Sequence, residues 1–337
     1  MNTTHINIGL ARYSDWAFTS AVVALVVALL LLAFELAYRA DRVGARRAAL
    51  ASASGGYPAG SSVAADSAVP GIVEDTDRRR IDERVGRAGL AVVYLGIGLL
   101  LACILLRGLA TLRVPWGNMY EFINLTCCCG LLAGAVVLRR PQHRALWVFL
   151  LVPVLILLTV SGRWLYANAA PVMPALQSYW LPIHVSVVSL GSGVFMVAGI
   201  ASILFLLRTS RLGESQGETP ADGVLARMVQ RLPDAQTLDR IAYRTTIFGF
   251  PVFGFGVIFG AIWAEEAWGR YWGWDPKETV SFVAWVVYAA YLHARSTAGW
   301  RDRKAAWINV VGFVAMVFNL FFVNLVTVGL HSYAGVG

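Results

Sequence analysis

The chain has 337 residues, of which 58% are hydrophobic and only 14% are charged, and its mean hydropathy is +0.62. A soluble domain has about 25% charged residues, so the composition excludes an ordinary soluble domain and predicts a protein that crosses the membrane several times. The formal net charge of +8 does not indicate nucleic-acid binding, because excess Lys and Arg in a membrane protein usually reflects its topology.

Eight apolar stretches are long enough to form membrane-spanning helices, since a bilayer core of about 30 Å needs about 20 helical residues. The predicted fold is therefore an all-α polytopic membrane protein with about eight transmembrane helices. The predicted spans are 15–38, 88–112, 119–138, 145–161, 183–208, 244–263, 278–295 and 306–328. We expect the first span to be retained, because it lacks the basic segment and the cleavage site of a signal peptide. The sixth span is rich in glycine, which indicates close helix packing or a bend.

The basic residues are concentrated in every second connection between these spans. Nine arginines lie in 39–87, three in 139–144, six in 208–244 and four Lys or Arg in 295–304, which leaves six of the 28 elsewhere. Because positively charged loops stay in the cytosol, this distribution predicts that both termini lie on the outer side of the membrane. A tryptophan-rich loop between the sixth and seventh helices is then on the outer side as well.

The chain divides into two predicted parts. Residues 1–87 are expected to form a leading transmembrane helix and a disordered cytosolic loop, since segment 51–71 is rich in Ala, Ser and Gly without periodicity. Segment 213–223 has a similar composition. Residues 88–337 are expected to form a single transmembrane domain. The four cysteines lie in apolar stretches without metal or redox spacing, so they are interpreted as packing residues.

The five histidines are the main candidates for chemistry, because no redox cysteine pair is present. His5 lies in a short tail and His143 among cytosolic arginines, so both are expected to be solvated. His184 follows Pro182, a residue suited to the first helical position, and should lie in the opening turn of the fifth span at the outer surface. His331 lies where the eighth span emerges on that side. Each could be an interfacial histidine with a backbone partner, or the two could form a facing pair of axial ligands.

The stretch 263–285 joins the sixth and seventh spans and is unusually rich in tryptophan. It contains Trp263, Trp268, Trp272, Trp274 and Trp285. Trp268 and Trp272 are four residues apart and are expected to share a helix face. An aromatic belt at the membrane interface is one explanation. A belt accounts less well for tryptophans interleaved with charged residues, which could stack on a porphyrin and neutralise its propionates. The stretch 115–122 could line the same cavity.

The sequence Asp-Pro-Lys-Glu at 275–278 predicts the start of the seventh span. Asp275, Pro276 and Glu278 suit the N-cap, the first and the third helical positions. His293 follows Pro276 by seventeen residues, or about 26 Å along the helix axis, so it should lie near the inner side of the bilayer. An ionisable residue there is a functional candidate, although a histidine bonded to a neighbouring helix would occupy the same place.

Several of these motifs together resemble a known family. The sequences WGRYWGWDPKE (268–278), YLHAR (291–295) and GLHSYAG (329–335) are similar to the tryptophan-rich WWD pattern of heme-handling proteins in cytochrome c maturation. WLPIHVS (180–186) and WGNMYEF (116–122) also resemble that family. Within it, the chain is similar to the CcsA/ResC-type subunit of the system II cytochrome c synthase, called CcsB in some lineages. The strong resemblance covers roughly residues 115–335.

The resemblance implies ligands for heme b at two sites. His184 and His331 would ligate the iron of a heme at an outer site, and His293 would ligate a second heme inside the membrane. The other residues of the outer site would be Trp263, Trp268, Trp272, Trp274 and Asp275. The second membrane ligand would come from a separate ResB-like membrane subunit.

The resemblance also implies an activity. The chain would be a cytochrome c heme lyase subunit, active only with its partner, which moves heme outward and supports its attachment to CxxCH of apocytochrome c. Thioredoxin-like proteins that reduce thiols would contribute indirectly. We expect the plasma membrane as the location, with the active site on the outer face; the sequence would suit a thylakoid membrane equally, but no segment resembles a transit peptide.

Three other functions stay open from the sequence. A heme loader of another maturation system would have six spans or a much longer chain, and eight predicted spans disfavour both. A b-type electron-transfer subunit needs histidine pairs inside the bilayer, whereas two of the three candidate histidines are predicted at its outer edge. A solute transporter would favour broken helices at mid-membrane, which the glycine-rich sixth span leaves possible.

Overall fold

The computed structural model describes residues 6–54, 76–210, 228–323, 326–327 and 329–331, and these residues contain helices and no β-strand. Eight long α-helices follow one another in this part of the chain. They are α1 (Ile8–Ser54), α2 (Thr76–Thr111), α3 (Met119–Val137), α4 (Leu146–Trp164), α5 (Trp180–Arg208), α6 (Ala235–Trp268), α7 (Pro276–Ser296) and α8 (Arg303–Phe318). A π-helical turn, Asn319–Val323, continues α8.

Seven helices of the described ranges are long and apolar enough to cross a membrane, and α7 is not among them. Its 21 residues are enough for a crossing at about 1.5 Å per residue. It is excluded by its composition, since Lys277, Glu278, His293 and Arg295 are polar. The prediction of a multi-pass, all-α membrane protein is confirmed, and the helix that does not meet this criterion is the one that begins in the tryptophan-rich stretch.

The helix ends differ from the predicted spans mainly at the connections. α1 continues beyond residue 38 to Ser54, and α2 begins at Thr76, so the predicted boundary after residue 87 falls inside a helix. Residues 55–75 and 211–227 lie outside the described residues, and they include most of the segments predicted to be disordered.

α5 begins two residues before Pro182, so His184 lies in the second turn and the prediction of the opening turn is wrong. Hydropathy detects burial in the membrane, whereas a helix ends where its hydrogen bonds stop.

α5 is the central helix of the bundle. Buried residues make up 83% of its most apolar stretch, against 28% for α1, α6 and α8, and α5 contacts α3, α4, α6 and α8. Its close approach to α6 requires glycine: a Cβ at Gly256 would lie 3.0 Å from the backbone of Val188, and one at Gly260 would lie 2.7 Å from the ring of His184. Close packing is therefore the role of these glycines.

Polar contacts gather at two opposite ends of the helices. At the first, which we call the histidine end, four contacts join the start of α1, the ends of α2 and α6, three interhelical connections and the segment that follows α8. They are Asn7 with Ala110, Arg113 with Ala170, Ser178 with Glu266, and Asp275 with His331. At the second, the arginine end, Arg144 pairs with Glu35 and Arg295 with Asp239, both at 2.8 Å. Successive helices thus alternate in direction, and the assignment of the histidine end to the outer side stays a prediction.

Candidate functional site

A cavity of about 250 Å³ lies at the histidine end and is lined by residues of α3, α4, α5, α6, α7 and α8. Along α5 it extends from Leu181 to Met196, fifteen residues or about 22 Å apart at 1.5 Å per residue. Most of its lining is apolar, and its charged side chains, Lys277 and Glu278, lie at the histidine end. The cavity is therefore a deep apolar space with a polar mouth.

His184 reaches this cavity from the second turn of α5. Its Nδ1 atom lies 2.8 Å from the carbonyl oxygen of Gly256. A carbonyl oxygen can only accept, so Nδ1 carries the proton and Nε2 carries the lone pair. The imidazole lies parallel to the ring of Trp263, with centroids 6.1 Å apart and an angle of 8°. The backbone carbonyl and the indole together fix the tautomer and the orientation of His184.

His331 lines the same cavity from the segment that follows α8. Its Nδ1 atom lies 2.8 Å from Oδ1 of Asp275. Burial by itself raises the pKa of Asp275, but hydrogen bonds from His331 and from the backbone N–H groups of Leu330 and Lys277 lower the pKa to about 2. The carboxylate therefore accepts, Nδ1 donates, and Nε2 again carries the lone pair. Burial also lowers the pKa of His331, against the opposing effect of Asp275, so the imidazole is neutral at pH 7.

Asp275 joins two parts of the chain as well as orienting His331. Its Oδ1 accepts from the backbone N–H of Lys277 (3.1 Å), and its Oδ2 accepts from that of Leu330 (2.8 Å). Glu278 accepts in return from the N–H of Asp275 at 3.1 Å. This is the predicted capping box, and α7 begins at Pro276 as predicted. The same carboxylate thus caps α7 and holds the segment that carries His331.

Two tryptophans enclose the histidine pair. Trp263 is fully buried and contacts both imidazoles, with its centroid 5.9 Å from that of His331. Trp268 packs edge-on against Trp263 at 4.7 Å and against His331 at 5.0 Å. Both indoles therefore restrict the motion of the two imidazoles and exclude water from them.

The other two tryptophans of the predicted site lie beyond the end of α6. Gly269, with φ of +70°, forms the C-cap directly after Trp268, and a left-handed glycine is a common helix end. The prediction that Trp268 and Trp272 share a helix face is therefore wrong. Trp272 lines the cavity, whereas Trp274 is 68% exposed and packs on Trp272 at 5.7 Å.

Trp274 has a strained backbone conformation, since its φ of +58° is unfavourable for a residue with a Cβ. Glu278 supports this conformation because its Oε2 accepts from the N–H groups of Gly273 (2.9 Å) and Asp275 (3.1 Å), on either side of Trp274. Strain of this kind persists where the surroundings determine the backbone strongly, and it is common at functional sites.

The stretch 115–122 contributes to the cavity as predicted, through Trp116, Asn118, Met119 and Phe122. The indole N–H of Trp116 is buried and has no hydrogen-bond partner among the described residues. Lys277 also lines the cavity, with its Nζ 5.4 Å from the ring centroid of Phe122. Lys277 is not among the residues predicted for the site from the sequence, although its place beside the N-cap of α7 was the available signal.

A buried charge network fixes the connection that carries Trp116. Glu121 accepts from Nε of Arg107 (3.1 Å), from Nη1 of Arg113 (2.9 Å) and from the backbone N–H of Gly117 (2.8 Å). The side chains of Arg107 and Glu121 are each 2% exposed. Sequence reasoning did not find this network, because its members come from two helices and the connection between them.

The remaining histidines lie away from the cavity. His293 is exposed in the last turn of α7, at the arginine end. His143 is 7% exposed, so the prediction that it is solvated is wrong. It lies in a short 3₁₀ turn before α4 and is buried there. His5 lies outside the described residues. The structure thus brings together His184, His331, Trp263, Trp268, Trp272 and Asp275, and leaves His293 apart.

The chain is similar in sequence to proteins of one known family. Residues 116–331 match the family model described as "Cytochrome C assembly protein". The matched part of this chain begins at Trp116 and ends at His331. The chain is 35% identical over 294 residues to the cytochrome c biogenesis protein CcsA of Gloeobacter violaceus, covering 74% of this chain and 86% of that protein. It is also 35% identical over 262 residues to CcsA of Guillardia theta, covering 72% and 86%.

One solved structure has a similar fold. The cytochrome c heme lyase CcmF aligns with a TM-score of 0.59 and 16% identity, over 93% of this chain and 46% of that protein. At this identity the likeness concerns the fold alone, and the chain spans less than half of the length of that lyase.

Proposed function

Because the chain belongs to the family of cytochrome c assembly proteins and is a CcsA-type cytochrome c biogenesis protein, we propose that it binds heme b between His184 and His331. One observation carries this proposal. Two imidazoles from distant parts of the chain line one cavity, and each donates its Nδ1 proton to an acceptor. Iron-binding histidines are typically held in this way, with the second nitrogen left to bind the metal.

The residues around the cavity fit the rest of a heme. An apolar lining suits the porphyrin ring, and an axial histidine pair suits its iron. Lys277 and the indole N–H of Trp116 would interact with the propionates, since both donate hydrogen bonds and Lys277 adds a positive charge. Trp272 would contact the porphyrin at the mouth of the cavity.

The proposed reaction is the attachment of heme to the CxxCH sequence of apocytochrome c. Heme, when bound, supplies vinyl groups, and a cysteine thiol adds across each to form a thioether. The chain's own residues contribute orientation: His184 and His331 set the angle of the ring, while Trp263 and Trp268 exclude water from both ligands. Reducing proteins of the thioredoxin type would keep the substrate thiols available.

We further propose a route by which heme reaches this site. His293, exposed at the end of α7, would ligate a heme inside the membrane together with a histidine of a ResB-like partner subunit. The arginine-rich connections favour the cytosolic side for that end of the helices. The histidine end would then lie on the outer face of the plasma membrane, where apocytochrome c is available.

Purification of the complex with its partner, followed by heme spectra, tests the outer site. His184→Gln and His331→Gln should each abolish the six-coordinate spectrum and reduce maturation of a reporter cytochrome c. His143→Gln, at the opposite end, serves as the control for removal of a buried histidine. Six-coordinate heme at wild-type content in both variants, with normal maturation, would show that the histidines are structural and the tryptophans a membrane belt.

A further inference from the structure

The two histidines of the proposed heme site differ in what holds them. The Nδ1 proton of His331 is bound by the carboxylate of Asp275, at 2.8 Å, with the two side chains 11% and 4% exposed. The Nδ1 proton of His184 is bound by a neutral backbone carbonyl, that of Gly256, also at 2.8 Å. The two hydrogen bonds have the same length, but the acceptor of His331 is charged and the acceptor of His184 is neutral.

The wider surroundings increase this difference. Charged groups near His331 are Asp275, Glu278 and Lys277, so two carboxylates and one ammonium act on its ring. The charged residue that acts on His184 is Lys277, in addition to any charge on His331 itself. Negative charge next to Nδ1 increases electron density at Nε2, and positive charge decreases it. His331 is therefore the stronger donor to a metal of the pair.

His331 follows the last described helix, and two further contacts hold this part of the chain in place. Asp275 accepts from the neighbouring Leu330 N–H at 2.8 Å, and Trp268 packs against the imidazole. A carboxylate that hydrogen-bonds a metal-binding histidine fixes its orientation and raises its basicity, and loss of such a partner typically lowers metal affinity about 10–100-fold.

We propose that Asp275 makes His331 the stronger of the two heme ligands, so that His331 would hold the iron and His184 would be the exchangeable ligand. This inference rests on the proposed function. Asp275 is a positioning residue, which acts through His331.

Asp275→Asn tests the role of the carboxylate charge. Asn is as good an N-cap as Asp, so α7 should keep its start while His331 loses its charged acceptor. The matched control is Asp234→Asn, because Asp234 is the N-cap of α6, accepts from Thr237 and lies at the arginine end, away from His184 and His331. With the charge removed, we expect a higher midpoint potential of the bound heme and about 10–100-fold weaker heme retention against a heme-scavenging protein. The control should match the wild type in midpoint potential and in heme retention.

His184→Gln and His331→Gln test which ligand is exchangeable. The complex that carries His184→Gln should retain heme and bind carbon monoxide or added imidazole readily, because a strong ligand remains and a coordination position is open. The complex that carries His331→Gln should lose most of its heme during purification. The midpoint potential and heme retention of these two complexes are compared with those of the wild type.

The outcomes separate this inference from the proposed function. If the wild-type complex has no six-coordinate heme with two histidine ligands, the proposed function fails. If it does, but His184→Gln loses as much heme as His331→Gln or more, or Asp275→Asn has the same potential as Asp234→Asn, the assignment of unequal ligands is overturned and the heme site stands. Unequal heme retention together with a raised potential in Asp275→Asn would support it.

Discussion

Glu121→Ala should destabilise the protein strongly and disturb the heme cavity from a distance. The carboxylate is almost fully buried and binds Arg107, Arg113 and the backbone N–H of Gly117. Its removal leaves the guanidinium of Arg107, itself 2% exposed, without its main counter-charge. The connection that carries Trp116 into the cavity would lose its anchor in the same step.

The magnitude follows from burial of the pair. Removal of one partner of a buried ion pair costs about 3–5 kcal/mol, because the other charge stays buried without compensation. Arg107 would keep a contact with Asp15 at 3.5 Å and a hydrogen bond to the carbonyl of Ala167. We therefore expect the lower end, about 3 kcal/mol. Glu121→Gln, which can still accept from Gly117, should lie between the wild type and Glu121→Ala.

Denaturation in detergent, with the free energy of unfolding as the readout, measures this loss, and heme content measures the effect on the cavity. The matched control is Glu83→Ala, which breaks the exposed pair with Arg87 (3.8 Å, side chains 63% and 64% exposed). Exposed pairs contribute less than about 1 kcal/mol. If Glu121→Ala and Glu83→Ala have equal free energies of unfolding, the network contributes nothing and the reasoning is wrong.

Three further predictions concern sidedness, heme delivery and pH. A cysteine at Tyr271, which is 62% exposed, should react with an impermeant reagent in intact cells and one at Gly60 should not; the reverse pattern would contradict the proposed topology. His293→Ala should lower heme at the outer site while the partner subunit still co-purifies, and unchanged heme there would remove the role of His293. Stability should fall as the pH drops below 6.5, because the unfolded chain then gains a proton that buried His331 resists. It should fall further from pH 3.8 toward about 2, where the carboxylate of Asp275 is protonated. Thermal unfolding against pH checks both declines: His331→Gln should reduce the first and Asp275→Asn the second, and declines that neither changes would refute the assignment.

Much of the fold was predictable because it depends on local or additive properties of the chain. Apolar stretches of membrane length predicted the helices, since burial in lipid depends mainly on composition. The start of α7 at Pro276 was predictable because the capping box joins residues three positions apart. The end of α6 was missed although Gly269 follows Trp268 directly, because the four-residue spacing of the tryptophans was interpreted as helical.

The meeting of His184 and His331 at one end was predicted from helix count and charge, since an alternating chain has few possible arrangements. What holds each imidazole depended on tertiary structure alone. Gly256 lies 72 residues from His184, and Asp275 lies 56 residues from His331. Periodicity and capping act within a few residues and carry no information about such partners. The first contact depends on how closely α5 and α6 approach at their glycines, and the second on the path of the chain after α8, and both are decided only when the helices pack.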